Sequence, residues 1–92
     1  MNPLLKNTSI GSWVTLAHPG IAEIMASAGF DWLAVELEHS AITIREAEEL
    51  IRVIELKGVA PFVRLSSNNP EQVKRVMDAL EAKGLDQETL LL

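Results

Sequence analysis

The sequence has no cysteine, so it has neither a disulfide framework nor a thiolate metal site, which fits a reducing compartment. Positive charge is scarce: eight Lys and Arg stand against 13 Asp and Glu, a formal net charge of −5. That balance argues against nucleic acid or an anionic membrane as main partner. It leaves room for a small anionic substrate held by one well-placed cation. No apolar run approaches the roughly 20 residues needed to span a bilayer. The opening MNPLLKNTS carries no charged-then-apolar targeting pattern. The expectation is a soluble, cytoplasmic chain. The glycines are scattered, so there is no Gly-rich phosphate cradle and no nucleophile elbow. No Pro/Gly/Ser-rich linker divides the chain either. What is present is an ordinary globular balance, 48% hydrophobic and 23% charged over 92 residues, enough for one small domain spanning 1–92.

Two periods alternate along the chain. Ile10 to Leu16 is a short β-like run stopped by His18-Pro19-Gly20. Ile21, Ile24, Met25 and Ala28 then recur at helical spacing, closed by Gly29. Asp31 to Leu37 is nearly continuous and apolar, the mark of a strand buried on both faces of a parallel sheet. The second helix announces itself with a capping box, Thr43 and Glu46. Its apolar stripe is Ala47, Leu50, Ile51 and Ile54, with Gly58 placed to end it. A third strand, Ala60 to Leu65, follows. The third helix is capped by Asn69 with Pro70 at its first position and carries the stripe Val73, Val76, Met77 and Leu80 up to Gly84. The tail reads as the start of a fourth strand, Thr89 to Leu92.

The pattern is βαβαβα(β), an α/β chain with right-handed crossovers and a parallel sheet. Two architectures use it: a doubly wound sheet and a (β/α)-barrel. In both, functional groups gather beyond the carboxyl ends of the strands. VELEHS, Val35 to Ser40, is such an end. Strand alternation puts Glu36 and Glu38 on one face and Val35 and Leu37 on the other, with His39 at the rim. Arg64 lies at the equivalent end of the third strand and shares a face with Phe62, and Trp13 on the first strand could wall the same region. A neutral imidazole serves as a general base near pH 7. A guanidinium holds a carboxylate or neutralises an oxyanion. Strand-end carboxylates can bind a divalent cation or orient its waters. Such a set suits proton removal beside a carbonyl in a carboxylated substrate. Each residue also has a plainer reading as an exposed or ion-paired surface group.

The order GSW, AGFDWLAVELEHS, APFVRLSSNNP and VKRVMDA, from about Ile10 to Ala79, resembles the HpcH/HpaI aldolase family. The resemblance implies a TIM-type (β/α)8 barrel, of which this chain would supply the first three to four strands. It also implies a metal-dependent class II aldolase that cleaves a 4-hydroxy-2-oxo acid reversibly to pyruvate and an aldehyde. Carried over, His39 looks like the catalytic base and Asp78 like the aspartate that orients it. Arg64 looks like the substrate-carboxylate or enolate contact, and Trp13 like a pocket wall. Glu38, with Glu36, looks like an acid beside the metal's water shell. The family's cofactor is a divalent metal (Mg, Mn or Co) whose direct ligands come from later strands, so this chain is expected not to hold it stably and to be inactive alone. Three departures stand out. Glu36 replaces a usual Asp. Leu80-Glu81 intervene where the family's third helix normally ends. Those ligand-bearing strands are not in the sequence. At about 100° per residue, a helix continuous through Asp78 turns that residue away from the apolar stripe. The expected partners are a keto acid, an aldehyde and further copies of the chain, because a partial barrel leaves two open sheet edges. The rival readings are a non-catalytic half-barrel module that self-assembles and a citramalyl or malyl lyase of the wider pyruvate barrel group. The E-H and VR pairing argues against the latter.

Overall fold

A computed structural model describes residues 9–65, 69–85 and 89–91 of the chain. The segment 1–8, read above for targeting, lies outside the described residues, as do residues 86–88 and Leu92 of the tail. Seven elements follow in order: β1 Gly11–Val14, α1 Pro19–Ala26, β2 Trp32–Glu36, α2 Ile44–Leu56, β3 Ala60–Arg64, α3 Pro70–Ala82 and β4 Leu90–Leu91. The strands form one sheet in the order β1-β2-β3-β4, each pair parallel. Sequential order with right-handed crossovers puts every connecting helix on the same side of the sheet. The core agrees: Val14, Leu33, Val35, Val63 and Leu65 of the strands and their ends cluster with Ala22, Leu50, Ile54, Val76 and Leu80 of the helices. Helices on one face only are what a barrel wall has and a doubly wound sheet lacks.

The helices form where local chemistry starts and stops them. At the head of α2, Thr43 Oγ1 accepts the Glu46 N–H at 3.1 Å and Glu46 Oε1 accepts the Thr43 N–H at 2.9 Å. This reciprocal box satisfies two amides that the helix itself cannot. Ala47, Leu50, Ile51 and Ile54 are the buried stripe, as their spacing predicts. Each large aliphatic side chain buried this way is worth roughly 1.5–3 kcal/mol. Gly58, at φ +76°, supplies the left-handed residue that ends the helix. Asn69 Oδ1 caps α3 by accepting the Gln72 N–H at 3.0 Å. In α3 the stripe is buried at Val76 and Leu80 and half-buried at Val73 and Met77.

Helix α1 departs from the expected stripe. Its buried residues are Ala22 and Ala26, whereas Ile24 is 72% exposed and Ala28 lies in the following turn. The spacing rule ranks residues by apolarity. Here two alanines set the buried face, because their small side chains let this eight-residue helix lie close on its neighbours. His18, read from its neighbours Pro19 and Gly20 as part of a turn, is the N-cap. Its Nδ1 accepts the amides of Gly20 and Ile21 at 3.1 and 3.4 Å.

Register assigns the other sheet face. Gly11 pairs with Trp32, Trp13 with Ala34, Ala34 with Phe62 and Glu36 with Arg64. Trp32 meets Trp13 and Phe62 edge-on, with centroids 6.2 and 6.0 Å apart. A Cβ on Gly11 would come within 1.9 Å of the Trp32 ring, so a residue without one is required where that indole lies. No helix among the described residues is long and apolar enough to cross a membrane.

Candidate active site

The polar groups on this bare face collect at the carboxyl ends of β2 and β3. Arg64 stands in register with Glu36. Its Nε donates to Glu38 Oε2 at 3.1 Å and its Nη1 donates to Glu36 Oε2 at 3.3 Å. The guanidinium carbon lies 5.5 Å from the centre of the Trp13 ring, a cation–π distance. Arg64 is therefore held from two sides by carboxylates and faced by an aromatic ring. Among the described residues, two of its five N–H groups are engaged, in these bonds, and a guanidinium's outer edge is the part that can grip an anion.

Glu36 is only 7% exposed. A carboxylate that deep must have its oxygens satisfied, and they are. Oε1 accepts the amides of Glu38 at 2.6 Å and His39 at 3.4 Å, while Oε2 takes Arg64. Ser40 Oγ donates to the Glu36 carbonyl oxygen and accepts the Ile42 N–H at 3.3 Å, which shapes the loop toward α2. His39 sits at the rim, its side chain 71% exposed, with Nε2 3.5 Å from Glu38 Oε1. At that exposure the pair adds little stability, but it leaves the imidazole accessible to an incoming group.

Five of the six candidate residues are thus brought together: Trp13, Glu36, Glu38, His39 and Arg64. Asp78 is not among them. Helix α3 runs unbroken through it to Ala82, and Asp78 is exposed in an open groove lined by Ile44, Arg45, Glu48, Arg75 and Ala79. That is the outward direction the helical projection gives. Sequence reading underestimated Glu36, which it placed on the right face but not as the most connected carboxylate of the site. The sequence pattern makes Phe62 and Trp13 neighbours of Arg64, and the register adds Trp32 between them on the same face.

A sequence model of the family described as HpcH/HpaI aldolase/citrate lyase matches residues 9–88. This chain belongs to that family. The family's curated members include a 2-dehydro-3,6-dideoxy-6-sulfogluconate aldolase of Pseudomonas putida, 38% identical over 77 residues, which cover 82% of this chain and 30% of that protein. A hydroxypyruvate/pyruvate aldolase of Sagittula stellata is 36% identical over 70 residues, covering 76% of this chain and 28% of that one. Among solved structures, an HpcH/HpaI aldolase from Desulfitobacterium hafniense aligns with a TM-score of 0.67 at 34% identity, covering 84% of this chain and 30% of its own. A family protein from Burkholderia cenocepacia aligns at 0.69 and 31% identity, covering 86% and 34%. The chain therefore spans about a third or less of the relatives it matches. Its four parallel strands and one-sided helices correspond to part of the family's TIM-type fold.

Proposed function

We propose that this chain provides one wall of a metal-dependent class II aldolase site. The reaction would be reversible retro-aldol cleavage of a 4-hydroxy-2-oxo acid to pyruvate and an aldehyde. The observation that carries the reading is Arg64 fixed between Glu36 and Glu38 at adjacent strand ends, with His39 at the rim beside it. The outer edge of Arg64 would hold the substrate carboxylate or the enolate oxygen, against the wall formed by Trp13. His39 would take the proton from the 4-hydroxyl. The C3–C4 bond then breaks, the aldehyde departs, and its electron pair remains on the pyruvate enolate. Reprotonation at C3 completes the turnover. Asp78, distant from this cluster, would act on it only through another arrangement of α3.

The described residues do not themselves fit the divalent cation (Mg, Mn or Co) that such an enzyme uses. Among them no group of three metal-ligating side chains is assembled, and the carboxylates at the site are spent on Arg64 and on loop amides. Counted formally, Glu36, Glu38 and Arg64 sum to −1, which repels an anionic oxo acid until further positive charge is supplied. This supports placing the cation's ligands outside the described residues. That the chain alone is inert is part of the same proposal. A cation so placed would offset the enolate's charge.

The test is a chimera in which residues 9–88 replace the matching part of the Pseudomonas putida aldolase, assayed by pyruvate release with each metal. We expect turnover that falls roughly 10²–10⁴-fold in kcat on His39→Ala, and a raised KM on Arg64→Ala. A folded but inactive chimera sinks the assignment. Turnover by the isolated chain that His39→Ala abolishes overturns its inertness.

A second reading, self-association, is favoured by β1. Among the described residues it pairs with β2 only, and Trp13 within it and Ile10 and Leu16 flanking it are exposed. Such an edge invites pairing with another strand. Sedimentation should show mass rising with concentration, and a monomer at all concentrations rules the reading out.

A further inference from the structure

Glu36 does more than neutralise Arg64. Its two oxygens face different elements: Oε1 accepts amides of the loop after β2, and Oε2 accepts from the arginine on β3. Glu38 closes the circuit, since its amide is held by Glu36 and its carboxylate by Arg64 Nε. The three residues form a ring of three hydrogen bonds in which no member can shift without stretching two of them. We infer that Glu36 is a positioning residue that couples Arg64 to the loop bearing Glu38 and His39, so that the anion clamp and the rim imidazole move as one unit.

Side-chain length supports this. A side-chain carboxylate that accepts the amide two residues ahead is within reach of aspartate, the usual Asx-turn. The loop bond alone therefore does not call for glutamate. The additional methylene lets the second oxygen extend to β3 while the first still caps the loop. Burial makes the bonds consequential, because an oxygen left without its partner at this depth regains little from water. The naming of clamp and base rests on the function proposed above, whereas the coupling itself does not.

Amide exchange and arginine side-chain NMR on the 92-residue chain test it without using turnover. In Glu36→Ala the amides of Glu38 and His39 should exchange about tenfold faster, the size a hydrogen bond to a charged group implies, and the Arg64 Nε–H signal should shift. The Leu33 and Val63 amides in the sheet should keep their rates, which separates a local release from general loosening. Glu36→Asp, whose carboxylate reaches the loop but not β3, should leave the Arg64 signal shifted and the loop amides only partly protected, exchanging faster than in the parent but slower than in Glu36→Ala. It decides the matter if the alanine variant does not fold. The decisive variant is Arg64→Gln. Arg64 bonds neither loop amide, yet coupling requires that both exchange several-fold faster in this variant. Loop rates unchanged in Arg64→Gln, or loop and Arg64 signals unchanged in Glu36→Asp and Glu36→Ala, overturn the inference. An inactive chimera with these shifts present would remove the catalytic roles and leave the coupling standing.

Discussion

The two faces of the sheet are built from the same strands, one residue out of phase. On the helix side, Val14, Leu33, Val35 and Val63 are aliphatic and almost wholly buried. On the other side, Trp13, Trp32 and Phe62 are only partly covered or exposed, and the strand ends carry Glu36 and Arg64. The first face resembles any α/β core, in which volume and apolarity decide. The second combines large rings with a half-buried ionic ring, centred on the buried Glu36, and an apolar substitution at that carboxylate's depth could equal or exceed it in stability. Under the proposed function, that charge serves the substrate rather than the fold. The two faces should therefore respond differently to mutation.

The largest effect belongs to the helix side. Leu33 is fully buried at the centre of that face, so Leu33→Ala should cost about 2–5 kcal/mol, from lost transfer energy and the cavity left behind. Against a typical stability of about 5–15 kcal/mol, this is enough to lower the urea midpoint sharply. A midpoint unchanged from the parent would mean that the helix layer is not what holds the sheet. On the bare face the telling position is Gly11. Gly11→Ala puts a methyl where the Trp32 ring lies, and moving the indole should cost about 1–3 kcal/mol. Tryptophan fluorescence should shift with it, since Trp32 also packs against Trp13. Loss of stability without a spectral shift would place the strain in the backbone instead.

The two faces also differed in how much could be read from sequence. Stripes, caps and stops of α2 and α3 were legible because helical periodicity and cap chemistry are local. Thr43 and Glu46 meet across one turn whatever the rest of the chain does. The stripe of α1 was misplaced because an eight-residue helix offers too few repeats, and because close packing by Ala22 and Ala26 outweighs the apolarity of Ile24. His18 was passed over as a cap because imidazole is an unusual acceptor there. Parity put Glu36 and Glu38 on one face and Arg64 at the equivalent end of the next strand, but it could not show that Arg64 stands in register with Glu36 or that Glu36 has both oxygens engaged. That depends on how the loop after β2 folds back. The outward position of Asp78 was foreshadowed by helical projection. Its adoption as a partner of His39 came from resemblance, not from spacing.

The smallest effect is a pH dependence on the helix side. Glu46 is held below the ordinary carboxylate value of 4.5, chiefly by the bond it accepts from the Thr43 amide and then by the Thr43 hydroxyl. A carboxylate whose pKa is lowered by folding stabilises the fold in its charged form. The contribution is fully present above 4.5, where both states are ionised. It drains away as pH falls through the lower, folded value, because the unfolded chain takes up its proton first. Comparing the chain with Glu46→Gln in urea from pH 7 to pH 3 isolates it. The stability difference between the two should be constant above the ordinary value and shrink below it, whereas Leu33→Ala should keep the same deficit relative to the parent throughout. A Glu46→Gln difference that grows on acidification would mean that the charged carboxylate opposes α2 rather than capping it. The helix layer would then owe its start to Thr43 alone.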